Sequence, residues 1–575
     1  MVSLALIYTD HNSCRKCYAC VRACPVKTIS IKKGLPEIVE EGCIGCGRCV
    51  LACSIGAKMV HDDSSVIQQW ISEGQKLAAI VAPSYPAAYD VPPEKFVGAL
   101  YELGFANIQE VAYGAEICAQ EYTKFFNQQK PKTILSTPCP AVVQLVEKHM
   151  PSMIEYLAPI DSPMLIQAKL VRARYPDHKI VFIGPCLSKK YEASDTNNQG
   201  YVDAVITFRQ LNQWFELKHV SLEDVREGQW DNPQPQLSRT FPISGGLLKS
   251  SGIVEDVASM EIVVVEGARR CIEVLKAIER EEFAPRFIDM LMCEGCVMGP
   301  GMVSDKSYVV RAHKVATTVR RHNNRLDAQA LSKLVQEMDF HRKFTAQPVV
   351  KKQYNDEEVW QMLKETGKHT PRDLINCSAC GYDTCWEKAV ACLQGLAEKE
   401  MCLPFLLSQV PALTNSLMDM SNKLMLSMES INFSTLTLKG TTSRMNLKNQ
   451  QLETLLEETN RIAKNTLQLS DTVLAMLARY EQPLNSSGTS LRLNSSGVSE
   501  IKEIASQSKQ QAEKTTKAFE EITGILNCLR EDSVSILEQE KAIKVVTHSL
   551  EQIVSTYEQL LNIGVAMANI GRNYV

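Results

Sequence analysis

The sequence contains no apolar run approaching the roughly 18 residues of a membrane-spanning helix, so no transmembrane helix is expected. It also has no excess charge of either sign: 62 Lys and Arg stand against 66 Asp and Glu, a net charge of -4. Such a balance supplies no field for holding nucleic acid or an anionic membrane. The first residues have no basic segment ahead of an apolar core, so no export signal is read and a cytoplasmic location is expected. There is no Cys-x-x-Cys-His run and no Gly-x-Gly-x-x-Gly after a strand, which leaves covalent haem and a dinucleotide fold without support. What the chain has in quantity is cysteine, 20 in 575 residues, within an ordinary apolar fraction of 45%. Without an export signal, cysteines at this density point to metals rather than disulfides.

Four regions follow from the patterning, each expected to fold as a domain: 1–60, 61–350, 351–405 and 406–575. The first is short and Cys-rich. In the second, β-type apolar runs (Leu77–Val81, Ile180–Ile183, Ile262–Val265) alternate with helical stretches, the signature of an α/β domain. The third is again Cys-rich and ends at Pro404 and Pro411. The fourth carries seams seven residues apart, Leu417 through Leu424, Ile431, Leu438, Met445 and Leu452 to Thr459, Thr466, Val473 and Tyr480, and then Ile501 through Ile522 to Tyr557. A breaker-rich segment, Gln482–Gly497, lies between them. Two arms, 413–480 and 498–561, are therefore expected to fold back as a coiled-coil hairpin roughly 100 Å long. Two such hairpins would pair as a four-helix homodimer.

Sixteen cysteines fall into three groups. Cys14, Cys17, Cys20 and Cys24 repeat as Cys43, Cys46, Cys49 and Cys53 with identical spacing. Three thiolates three residues apart can reach three corners of one 4Fe–4S cube, and the fourth ligand comes from the other run, Cys53 for the first cube and Cys24 for the second. The pattern resembles the bacterial two-cluster ferredoxin module. A third set, Cys377, Cys380, Cys385 and Cys402, again suits a cube and resembles small four-cysteine cluster domains; a four-Cys zinc site is the alternative. Cys118, Cys271, Cys392 and Cys528 are read as small buried hydrophobes.

The remaining group, Cys139, Cys186, Cys293 and Cys296, is scattered. Its surroundings, Thr137-Pro138-Cys139-Pro140-Ala141, Gly184-Pro185-Cys186 through Lys189 to Glu192, and Met292-Cys293-Glu294-Gly295-Cys296, resemble the three signatures of the iron-only hydrogenase catalytic domain. The resemblance implies that Cys139, Cys186 and Cys293 bind a cube, and that Cys296 bridges to a diiron site carrying CO and cyanide. It implies that Lys189 donates to a cyanide and Glu192 holds the adjoining loop. H2 would be cleaved heterolytically and electrons would leave through the cubes to a ferredoxin-like acceptor. Three departures weaken turnover. Pro138 stands where the family has a proton-relay Cys, and proline has no ionisable group. Gly184 replaces a Met, and two residues rather than three separate Cys293 from Cys296. Glu121 is a candidate for the next relay position.

These losses resemble the sensory branch of the family. One reading is therefore a regulatory H2 or redox sensor, with H2 or a redox protein as ligand and a signalling kinase or phosphatase downstream of the coiled coil. The other is a catalytic or electron-transfer subunit whose tail serves only assembly. Either is compatible with a diiron site or with a lone cube.

Overall fold

The computed structural model describes residues 5–128, 133–233, 235, 237–254, 258–321, 332–436, 442–477, 495–531 and, in part, 542–559. The chain forms two units: Met1–Ser13 with Ala23–Ile29 and Glu37–Lys351, and Cys14–Arg22 with Ser30–Pro36 and Lys352–Val575. The division runs through the 1–60 segment, so Cys14, Cys17 and Cys20 group with the second unit while Cys24 and the whole second run group with the first.

In the first unit, the strand Leu77–Val81 is buried at every position. A strand covered on both faces reads as a continuous apolar run, and such strands pair in parallel. It sits between Asn107–Glu110 and Lys179–Gly184, with Ala204–Thr207 at the far edge, all parallel. A second parallel sheet runs Ile262–Glu266, Phe287–Leu291, Ile134–Leu135. The helices Ala112–Gln128 and Pro163–Arg174 contribute to a core beside this second sheet, where Tyr122 and Phe126 each meet the Phe287 ring edge-on at 5.9 Å. Arg239, 2% exposed, is held by three hydrogen bonds of 2.7–3.0 Å to the Glu110 carboxylate at the end of its strand.

In the second unit, the helices Asp356–Lys364 and Cys385–Leu393 pack through Val359, Leu363 and Ala389, with Trp360 edge-on to Trp386 at 5.9 Å. Helix Leu403–Leu436 then starts directly after Cys402 and runs through both Pro404 and Pro411, so neither proline ends the small domain as the sequence suggests. Pro404 is tolerated because the first turn of a helix has no N–H partner to lose.

The tail differs from the expected pair of long arms. The first arm is two helices, Leu403–Leu436 and Thr442–Leu477, and they pack on each other. Leu424 and Met428 meet Leu452 and Leu456, while Leu407 meets Val473, so the two run antiparallel. Helix Ser495–Glu531 returns along Thr442–Leu477, with Lys509 bonded to Asp471 at 2.7 Å, and Val546, Leu550 and Ile553 pack back on Phe519. One chain thus supplies three antiparallel helices of roughly 50 Å each, with the described part of 542–559 packed beside them. Heptad spacing continues unbroken through Leu438, which hides the reversal. Leu438, Tyr480, the breaker segment up to residue 494, Ile536, Ile543 and Tyr557 lie outside the described residues, as does the Cys528 side chain. Among the described residues no helix is long and apolar enough to cross a membrane.

Polar residues sit inside these seams. Thr459 is 0% and Thr515 1% exposed, and each hydroxyl donates back to its own helix, to Leu455 O at 2.6 Å and Gln511 O at 2.9 Å. A hydroxyl in an apolar layer returns less than a methyl there. Val has the shape and helix propensity of Thr, so Thr459→Val combined with Thr515→Val is expected to stabilise the tail by about 1 kcal/mol per site. The check is the helical melting transition followed by circular dichroism, which should move upward.

Candidate functional site

Parallel strands leave their carboxyl ends free of the crossover helices, and clefts open there. In the first unit both sheets obey this rule. Val81 leads into Ala82-Pro83-Ser84, Gly184 into Pro185-Cys186, Leu291 into Met292-Cys293, and Leu135 into Pro138-Cys139. The segments enclose an open pocket of about 700 Å³ whose wall includes Pro138, Cys186, Lys189, Asp289 and Cys296. Cys139 is the cap residue of helix Pro140–His149, and backbone N–H groups of Met292, Val142 and Ala141 point at its sulfur. Cys186 likewise receives N–H groups from Ser188 and Lys189 as the next helix starts. Desolvation pushes the Cys186 thiol up to about 12, with Cys139 adding to the rise. Cys293 and Cys296 are raised for the same reasons, by desolvation first and then by each other's neighbours Cys186 and Cys139. The four scattered cysteines are therefore brought together.

Lys189 Nζ is 2.6 Å from Glu192 Oε2, 2.9 Å from Ser162 Oγ and 3.4 Å from Pro138 O. Arg342 bonds the other Glu192 oxygen at 2.6 Å. Burial pushes the Glu192 carboxyl up, but Lys189 and Arg342 outweigh it and hold the group below the usual range. Glu121 stands apart from the pocket wall, its carboxylate paired with Lys124 at 2.6 Å. The space expected for a Met at position 184 is taken by Phe182, two residues earlier on the same face: a Cβ on Gly184 would stand 2.8 Å from that ring. Phe182, Asp289, Ser162 and Arg342 carry no motif, and the sequence reading missed them.

Cys24, Cys43, Cys46 and Cys49 surround a second open pocket of about 300 Å³ with apolar walls from Ile7, Val26, Ile29 and Ile44. Desolvation raises the thiols of Cys43, Cys46 and Cys49, that of Cys46 to about 12, with Cys24 a further cause in each. The loop is seated on the hydrogenase-like signatures: a Cβ on Gly47 would lie 2.4 Å from Pro300, and one on Gly45 2.8 Å from Tyr191. Lys148 donates to Cys43 O at 2.7 Å.

In the second unit Cys377, Cys380, Cys385 and Cys402 line a pocket of about 410 Å³. Lys368 and Lys388, 5% and 4% exposed, share its wall, and Lys368 Nζ lies 3.2 Å from Cys402 Sγ. Two buried cations are costly unless an anionic group compensates them.

One backbone feature recurs at three loops. Lys16 and Tyr18 flank Cys17, Gly45 and Gly47 flank Cys46, and Asn376 and Ser378 flank Cys377, all with φ between 51° and 69°. Glycine takes this conformation freely, whereas Lys and Tyr are strained by roughly 1–2 kcal/mol each. Strain of this kind persists where function fixes the backbone, and the spacing Cys-x-x-Cys does not reveal it. Among the described residues no three His, Cys, Asp or Glu side chains converge on an ion-sized point. Cys53 belongs to the other unit from Cys14, Cys17 and Cys20, and its place with them rests on spacing. Of the cysteines read as core, Cys118 and Cys271 are fully buried and Cys392 partly so.

Residues 75–300 match the model of the iron only hydrogenase large subunit, C-terminal domain, and residues 6–54 match a 4Fe-4S dicluster domain. Among similar proteins is the NADP-reducing hydrogenase subunit HndD of Solidesulfovibrio fructosivorans, 24% identical over 48% of this chain and 54% of its own. Iron hydrogenase 1 of Clostridium pasteurianum is 25% identical over 36% of this chain and 45% of its own. Protein NAR1 of Arabidopsis thaliana is 23% identical over 38% and 56% respectively. The chain thus spans about half the length of these relatives. A solved structure of the hydrogenase HydA1 from Chlamydomonas reinhardtii aligns at a TM-score of 0.41 and 16% identity, over 50% of this chain and 100% of that one. The chain carries an iron-only hydrogenase-like domain and a 4Fe–4S dicluster domain, and it is a hydrogenase-like iron–sulfur protein with no membrane-spanning helix among its described residues.

Glu192→Ala would leave Lys189 a buried cation with no carboxylate and Arg342 with only Asp195, at 3.3 Å, a change expected to cost about 3–5 kcal/mol. Glu192→Gln, which keeps the hydrogen-bonding shape, should cost less. Thermal unfolding of the two variants beside the parent distinguishes them; equal melting temperatures for all three would contradict the buried network.

Proposed function

We propose that the protein is a regulatory H2 or redox sensor with slow or no H2 turnover, signalling through its helical tail to a kinase or phosphatase. Cys14, Cys17, Cys20 and Cys53 hold one cube, Cys43, Cys46, Cys49 and Cys24 a second, and Cys377, Cys380, Cys385 and Cys402 a third. Cys139, Cys186, Cys293 and Cys296 hold a fourth, with Cys296 also bound to a diiron group. That group, when bound, supplies heterolytic cleavage of H2, and the cubes carry electrons. The chain's own part is to orient and to limit. Lys189, braced by Glu192, reaches the pocket as a hydrogen-bond donor. Phe182 and Pro138 wall it with groups that cannot take a proton.

The observation that carries the reading is Pro138 in the pocket wall, beside the cysteines that would hold the cluster. With no acid or base at that position, and with Glu121 outside the pocket wall, proton delivery lacks its first station. The relatives support a fold that outlives its chemistry, since they include hydrogenases and also proteins named as cytosolic Fe-S cluster assembly factors. The buried threonines of the tail support a signalling role, because packing that is suboptimal is more readily shifted.

Anaerobically matured protein should oxidise H2 with a viologen dye at a low rate, and Pro138→Cys should raise that rate by roughly 10²-fold or more, the usual worth of a positioned proton carrier. Amide exchange across 442–477 should differ between H2-reduced and oxidised samples. Fast turnover in the parent, with exchange in the tail indifferent to redox state, would overturn the sensor in favour of an enzyme subunit.

A further inference from the structure

The loop Cys14–Arg22 and the hairpin Ser30–Pro36 belong to the same unit as the four-cysteine domain, although more than 300 residues of the chain lie between them. The contacts are specific. Ile31 N–H donates to Leu396 O at 3.0 Å. The Glu398 carboxylate accepts the N–H groups of Lys33 and Gly34 at 2.5 and 2.8 Å. Arg22 donates to Ala379 O at 3.4 Å. Gly381 closes the seam: a Cβ there would stand 3.1 Å from Arg22 N and 3.1 Å from Val21 Cγ1. Val21 is 0% exposed, so this is a dry contact. Val21 and Arg22 follow Cys20, and Ala379 and Gly381 bracket Cys380. The two cysteine loops therefore touch through residues adjacent to their own ligands, without a connecting domain.

We propose that this contact is the electron path between the ferredoxin module and the four-cysteine domain, and that Lys368 makes the latter the receiving end. The proposal rests on the cluster assignments of the preceding section. In the exchange, one electron supplied by a low-potential one-electron donor leaves the site held by Cys14, Cys17 and Cys20 and is gained at Cys377–Cys402, with no bond made or broken and no proton moved. Tunnelling weakens steeply with separation, so residues that let two backbones meet favour it. The Lys368 ammonium against Cys402 Sγ stabilises added negative charge there, and hydrogen bonds to ligand sulfur are among the factors that set the potentials of such sites. The helix Leu403–Leu436 begins at the next residue, so reduction places charge at the head of the tail.

The test uses the full chain, reconstituted anaerobically with iron and sulfide and reduced stepwise with dithionite, with electron paramagnetic resonance on frozen samples. The expected result is that the ferredoxin-module signals relax faster once the Cys377–Cys402 signal has appeared, and that this enhancement is lost in Cys380→Ser. Lys368→Met should keep the spin coupling but move reduction of the Cys377–Cys402 signal to lower potential. A loaded Cys377–Cys402 site with relaxation unchanged by Cys380→Ser would overturn the path alone. An unshifted potential in Lys368→Met would overturn the role of the lysine. Parent protein with no iron at Cys377–Cys402 would overturn both the path and the cluster assignment.

Discussion

Parallel strand pairing is the constraint on which the site depends. It requires crossover helices on the sheet faces, and it therefore confines irregular backbone, and with it reactive side chains, to the strands' carboxyl ends. Four separated stretches of sequence, ending near Val81, Leu135, Gly184 and Leu291, are delivered to one space by that rule. Cysteines far apart in the chain become neighbours without any local motif that joins them. The helices that start at Pro140 and Ser188 then add directed N–H groups to Cys139 and Cys186.

Burying charge beside such a space is costly, and the structure meets the cost by pairing the buried charges with one another. Glu192 is shared by Lys189, Ser162 and Arg342, so the lysine that faces the pocket is fixed in place. The same logic recurs in the four-cysteine pocket with opposite emphasis. There two buried lysines face four thiols, an excess of cationic partners that an anionic cluster would balance. The first arrangement orients a donor; the second favours a more negative occupant.

Spacing made the cysteine groups legible, because tight loops place i, i+3 and i+6 thiols on one side whatever surrounds them. The apolar runs at Leu77–Val81 and Ile262–Val265 were legible for a similar local reason and appear as strands. Long-range features were not. Arg342 reaches Glu192 across 150 residues, and the segment Cys14–Arg22 finds Ala379 and Gly381 across still more. The left-handed backbone at Lys16 and Tyr18 contradicts residue preference and is invisible to it. Heptad periodicity in the tail shows which side of a helix is buried but not where the chain turns, so two helices read as one arm.

We propose that the pocket at the strand ends holds a 4Fe–4S cube together with a diiron group. Infrared spectroscopy of protein matured anaerobically with the hydrogenase maturation enzymes, with iron counted on the same sample, tests it directly. The expected result is bands from CO and cyanide on iron together with about 18 irons, four cubes and a diiron pair. A sample with no such bands and about 12 irons would contradict it, leaving Cys139, Cys186, Cys293 and Cys296 as a fold that has lost its cluster.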